Sequence, residues 1–201
     1  MVNIIIGKVV NKKYVGPVIG VDSSAVALLN SGYKDFIAVG DFDSCSSDEF
    51  ELIKSNCTVV KHPQQKDYSD LELAIDYALE HFDGEDITIH NIYAGNRLDH
   101  LFANLLLLKK GLDKGVTIYQ TDKKNCAYVL KPNKYGLATL KKYVSFFALE
   151  NVSDLTLDNF KYPLSNYALN VGDPLCVSNE LLPGAILTFS DGLILVIESS
   201  D

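Results

Sequence analysis

Two carboxylates lie two residues apart in "VGDFDSC" (39–45), Asp41 and Asp43, directly after the apolar run "DFIAV". At that spacing they repel one another, so water, a partner cation or a bound metal must offset the repulsion. A second acidic stretch, "HPQQKDYSDLELA", sets Lys66 and Asp67 just ahead of Ser69 and Asp70. Ser69 with Glu72 fits an S-x-x-E capping box, and Asp70 in the first turn suits the positive end of a helix. Capping does not account for Lys66 and Asp67. A lysine beside a helix N-terminus can receive phosphate oxygens, and the carboxylates can hold magnesium bound to those oxygens. A third stretch, "AGNRLDHLFAN", passes from a strand through a glycine loop into a helix that starts with Arg97, Asp99 and His100.

Taken singly, each group has a plain structural role. Asp41 and Asp43 can form a solvated turn before a helix capped by Ser46 or Ser47, Asp99 can pair with Arg97, and His100 can be a polar residue at a helix start. Three strand ends carrying DxD, KDxSD and RxDH toward one crevice are not explained that way, because together they need a cation. The chemistry expected is a magnesium site that handles a polyphosphate.

The elements that must position these groups alternate. "VNIII", "PVIGV", "DFIAV", "CTVV", "DITIHNI" and "VTIY" read as strands. Between them "SSAVALLNSG", "SSDEFELIKS", "DLELAIDYALEHF" and "RLDHLFANLLLLKKG" carry apolar residues at helical spacing. In the third helix Leu71, Ala74, Ile75, Ala78, Leu79 and Phe82 make one stripe, with Glu72, Asp76 and Glu80 facing away. Such alternation predicts a mostly parallel sheet with helices on both faces, whose ligands gather at the carboxyl ends of the strands. After "KPNKYG" (131–136) the texture changes to "YVSFFAL", "LTL", "AILTF" and "LILVIE", strands without a helix, which predicts a small all-β sandwich. The expected boundary divides residues 1–132 from 133–201.

Composition narrows the function classes. Twenty-six acidic against 18 basic residues give a net charge of -8, and no basic groove is apparent, so no nucleic-acid partner is expected. "MVNIIIGKVV" reads as an opening strand rather than a signal peptide, and "LFANLLLL" is too short to span a bilayer. A soluble cytoplasmic protein with no membrane partner is expected. Cys45, Cys57, Cys126 and Cys176 form no CxxC pair, which excludes a zinc knuckle and a disulfide framework. Neither GxxxxGK[ST] nor GxGxxG occurs.

"GDFDS", "KDYSDLE" and "GNRLDHLFANLLLL", in this order and followed by a β region with "FKYPL" and "VSNE", resemble the thiamine pyrophosphokinase family over nearly the whole chain. The resemblance implies an α/β nucleotide- and metal-handling domain, a β-sandwich contributing a thiamine pocket, and a homodimer with sites at the subunit interface. It implies transfer of pyrophosphate from ATP to the hydroxyl of thiamine, leaving AMP. On that basis Asp41, Asp43 and Asp70 hold Mg2+; Ser44, Lys66, Asp67, Ser69, Arg97 and His100 meet ATP; and Asp99 positions Arg97 or accepts the substrate proton. Tyr162, Ser178 and Asn179 are the residues implied for thiamine. The chain departs from the family pattern at "DSSA" (Asp22 to Ala25), where two glycines are common, and at Asn96 of "GNR". Two alternatives stand beside this reading: a haloacid dehalogenase-like phosphohydrolase, which also uses a DxD after a strand, and a non-catalytic nucleotide- or thiamine-binding sensor.

Overall fold

Six short apolar runs build the first sheet: β1 (Val2–Ile5), β2 (Val18–Val21), β3 (Ile37–Gly40), β4 (Thr58–Lys61), β5 (Ile87–His90) and β6 (Ile118–Thr121). In the computed structural model, which describes residues 1–8, 10, 13–63, 67–91 and 97–201, they lie in the order β4-β3-β2-β1-β5-β6, all parallel. β1, β2 and β5 are buried at every position, as strands covered on both faces must be. The order reverses at β1. The chain steps outward from β1 to β4, then returns to place β5 on the other side of β1, which opens a crevice at the carboxyl ends there.

Register decides which helix covers which face. Gly20, Ala38 and Ile5 share one face with α1 (Ser24–Asn30). A Cβ on Gly20 would come 2.8 Å from Leu28 and 3.2 Å from the Ala25 backbone, so the helix approaches closely only because glycine stands there. The alternate residues Ile4, Ile19 and Val39 are equally buried on the opposite face, where α3 (Asp70–His81) packs with Leu71, Ala74, Ile75 and Ala78. The polar side of α3 is less idle than its spacing suggests. Glu72 and Asp76 both reach Lys110 at 2.8 Å.

α2 (Ser47–Asn56) is capped by Ser46 in a complete capping box, with Ser46 Oγ accepting from Glu49 N–H and Glu49 accepting from Ser46 N–H. The box expected at Ser69 forms only in half. Ser69 Oγ accepts from Glu72 N–H at 3.2 Å, but the Glu72 carboxylate is engaged by Lys110. The apolar run after Arg97 forms α4 (Leu98–Leu107), then tightens into a 3-10 helix over Leu108–Lys114.

The second compact unit begins at Lys123, upstream of the 132/133 boundary, because one further strand, β7, belongs with it. β7 (Asn125–Leu130) pairs antiparallel with β13 (Ile194–Ser199), whose other neighbour is β9 (Tyr143–Ala148). β8 (Asn133–Gly136) pairs with β12 (Leu181–Phe189), in a sheet ordered β11-β10-β12-β8 with β10 (Val152–Phe160) and β11 (Leu164–Leu169). The two sheets meet through a core that includes Phe146, Leu155, Leu187 and Val196, and Phe146 stands edge-on to Phe160 at 5.8 Å. All four cysteines are free thiols, and no described helix is long and apolar enough to cross a membrane.

Candidate active site

Two left-handed residues shape the loops after β2 and β3. Asp22 has φ +50° and Phe42 has φ +62°. For a residue as bulky as Phe42 that conformation costs about 1–2 kcal/mol, offset here by burial of its ring against Phe50 at 5.1 Å. The turn at Phe42 brings Asp43 N–H to Asp41 Oδ1 at 3.1 Å. Gly40 lets the two loops converge, since a Cβ there would meet the Asp22 backbone at 3.1–3.2 Å.

The result is a cluster in which Asp22, Asp41 and Asp43 each offer a carboxylate oxygen within 4.8 Å of the others. Asp22 accepts from the Ser44 hydroxyl through Oδ2, while its Oδ1 is buried without a partner among the described residues. An orphaned, buried carboxylate oxygen among acidic neighbours calls for a cation. The Asp43 carboxyl is pushed above the usual range, chiefly by the charge of Asp41, then by desolvation and by the charges of Asp22 and Asp70. Asp70, in the first turn of α3, is therefore close enough for its field to be felt. An all-oxygen donor set of this charge suits a hard divalent cation such as magnesium.

Asp22 was legible as a fourth acidic strand end, directly after "PVIGV". It belongs to no short motif, and only the fold brings it to Asp41 and Asp43. Ser44 also lines, with Lys8, Ser23 and Cys45, a hollow of about 210 Å³. Ser69 caps α3 and Asp67 is exposed, while Lys66 and Asn96 lie outside the described residues.

The third motif follows β5, which lies three strands from β3 in the sheet, about 14 Å at ~4.8 Å per strand. Arg97 and Asp99 form an exposed two-pronged pair, Nε to Oδ1 at 3.1 Å and a second bond to Oδ2. The hydrogen bonds from Arg97 hold the Asp99 carboxyl down at about 2. His100 is exposed beside them.

In the second unit Tyr162, Leu164, Leu175, Cys176, Val177 and Asn179 line a hollow of about 220 Å³. Tyr162 is 59% exposed, whereas Asn179 is buried and its amide is committed. Asn179 Nδ2 donates to Tyr162 O at 2.8 Å, and Oδ1 accepts from Tyr162 N–H at 3.0 Å and Glu180 N–H at 2.9 Å. Ser178, left-handed at φ +58°, is exposed and donates its N–H to Ser145 Oγ at 2.9 Å. Burial pushes the Cys176 thiol up to about 11.

An α/β unit with carboxylates gathered at its strand ends, followed in the chain by a β-sandwich with an aromatic-walled hollow, defines a two-domain protein with a candidate ligand site in each unit. Comparison with known proteins gives the family. The model for "Thiamin pyrophosphokinase, catalytic domain" matches residues 11–120, and that for "Thiamin pyrophosphokinase, vitamin B1 binding domain" matches residues 127–194. The thiamine pyrophosphokinase of Bacillus subtilis (strain 168) is 37% identical over 188 residues, spanning 91% of this chain and 87% of the relative. A crystal structure of thiamine pyrophosphokinase from Bacillus subtilis matches with a TM-score of 0.85 and 34% identity, covering 100% of this chain and 99% of its own. A thiamin pyrophosphokinase family protein from Enterococcus faecalis matches at 0.87 and 31% identity, covering 100% and 98%. This chain belongs to the thiamin pyrophosphokinase family. That membership sets aside the haloacid dehalogenase alternative.

Proposed function

We propose that the protein is a magnesium-dependent thiamine pyrophosphokinase that uses ATP. The hydroxyl oxygen of thiamine bonds to the β-phosphorus of ATP, and the bond from that phosphorus to the oxygen bridging the α-phosphate breaks. AMP leaves with that oxygen, the hydroxyl proton is released, and thiamine diphosphate is the second product. The observation that carries this reading is the Asp22, Asp41, Asp43 cluster, with a buried Asp22 oxygen that has no partner among the described residues, in a chain of this family.

Asp22, Asp41 and Asp43, with Asp70 beside them, are the residues that would hold magnesium. Bound there, the ion supplies charge neutralisation for the phosphate oxygens and fixes them for displacement. The chain's own side chains do the rest by alignment and charge. Arg97 neutralises phosphate oxygens, and Asp99, kept ionised by its pairing, aims the guanidinium rather than accepting a proton. Lys66 adds a second positive charge, and Ser44, Asp67, Ser69 and His100 complete the proposed ATP contacts. Tyr162 presents an aromatic face to the flat, singly cationic thiamine, with Ser178 and Asn179 at its side.

A homodimer fits this reading, each site drawing its carboxylates from one subunit and its thiamine hollow from the partner. Both units expose apolar side chains that water disfavours, Leu98 and Phe102 in the first and Leu175 and Leu182 in the second. Nucleotide product analysis with and without thiamine tests the function. Thiamine-dependent AMP in equal amount with thiamine diphosphate is expected; ADP with thiamine monophosphate, or no thiamine dependence, would refute it.

A further inference from the structure

One wall of the 220 Å³ hollow is tied down by residues outside it. Asp173, in the connection between β11 and β12, accepts from Leu175 N–H at 3.0 Å through Oδ1 and from the Tyr167 hydroxyl at 2.7 Å through Oδ2. Its own N–H bonds Asn170 O at 3.0 Å. Tyr167 stands on β11 opposite Leu155 of β10, so its hydroxyl reaches the loop from a paired strand. Further along, Cys176 O accepts from Phe146 N–H at 2.9 Å, and Ser178 N–H reaches Ser145 Oγ.

Between these anchors only Cys176 is buried. Leu175 and Val177, which line the hollow with Tyr162, are 55% and 45% exposed. Side chains so exposed have little core packing to hold them, so the polar anchors determine where they stand. The Asp173 carboxylate is the anchor that reads two elements at once, a strand hydroxyl and a loop amide.

We propose that Asp173, oriented by the Tyr167 hydroxyl, is a positioning residue of the thiamine site, fixing the Leu175–Val177 wall so that the hollow closes on a flat ring beside Tyr162. The identity of the ligand rests on the function proposed above; the brace itself does not.

The test uses the full chain with Asp173→Ala, Asp173→Asn and Tyr167→Phe, the last removing one hydroxyl and keeping the ring. Steady-state kinetics are read for both substrates, and hydrogen exchange over residues 171–179 is read without substrate. Asp173→Ala should raise KM for thiamine about tenfold and Tyr167→Phe about threefold, the size of a lost hydrogen bond, with kcat and KM for ATP within about twofold. Asp173→Asn keeps an oxygen for Leu175 N–H and should recover most of the loss. Exchange over 171–179 should quicken in Asp173→Ala and Tyr167→Phe while β10 and β12 stay protected. Unchanged KM for thiamine in both variants, equal rises for both substrates, or unchanged exchange would overturn the proposal. If Asp173→Ala does not fold, Tyr167→Phe decides. A wild-type protein that does not turn over thiamine refutes the proposed function instead, and the exchange readout still judges the brace.

Discussion

The hydroxyl of Ser44 donates to the carboxylate of Asp22, twenty-two residues earlier in the chain, and the other oxygen of Asp22 is buried with no partner among the described residues. A serine in the DxD turn thereby holds a third carboxylate toward Asp41 and Asp43.

Neutralising one member of this cluster should separate stability from turnover. The Asp43 carboxyl is raised chiefly by Asp41, so the folded state is penalised when Asp43 ionises. The penalty is absent below the ordinary carboxylate range, is complete above the raised value, and should be relieved by magnesium. Asp22→Asn and Asp43→Asn should each cut turnover about a hundredfold or more. Without metal they should melt at or above the wild-type temperature, and the rise in Tm on adding magnesium should shrink. Thermal melts at pH 7, with and without magnesium, check this; an undiminished rise in both variants would remove the metal assignment.

Asp99 should behave as an aiming group and not as a base. Arg97 holds its carboxyl at about 2, so it stays ionised throughout an ordinary assay range and cannot produce an acid limb there. Asp99→Asn should lower kcat about tenfold through a less well aimed Arg97, leaving the shape of the kcat/KM profile between about pH 5 and about pH 9 unchanged. Loss of a limb from that profile would show a proton-transfer role.

Gln120 on β6 is fully buried, and neither polar atom of its amide has a partner among the described residues. An amide in that state costs about 1–3 kcal/mol. Gln120→Leu, close in volume, should therefore raise unfolding stability by roughly that amount in urea titration. A loss of stability would mean that the amide is satisfied in solution.

The proposed shared-site dimer makes an arithmetic prediction. Subunits carrying Asp43→Asn, co-expressed with subunits carrying Tyr162→Ala and Ser178→Ala, should give heterodimers with one intact site of two. Random assortment makes half the dimers mixed, so about a quarter of normal activity should return. Purified heterodimers without activity would exclude a site shared between subunits and leave the product analysis unaffected.

Local periodicity carried most of the architecture. All six strands of the first sheet and the four helices stand where the apolar spacing puts them, and the α3 stripe is buried at Leu71, Ala74, Ile75 and Ala78. The reason is that alternation and helical spacing are properties of neighbouring residues. Side-chain competition was not legible in the same way. The capping box expected at Ser69–Glu72 closes only in half, because Lys110 arrives from thirty-eight residues away to take Glu72, whereas the full box forms at Ser46–Glu49, where only a cap was expected.

The sequence by itself determined the class of fold, the three acidic motifs and the family they resemble, since each is written in contiguous residues. The tertiary structure alone decided which carboxylates meet. Strand order puts β2 beside β3, so that Asp22, directly after β2, stands with Asp41 and Asp43, directly after β3. It also committed the Asn179 amide to the backbone of Tyr162, a choice that depends on β9 aligning residue 179 through Val144. Such partners are distant in the chain, and they come together only when burial of the apolar faces fixes the order of the strands that carry them.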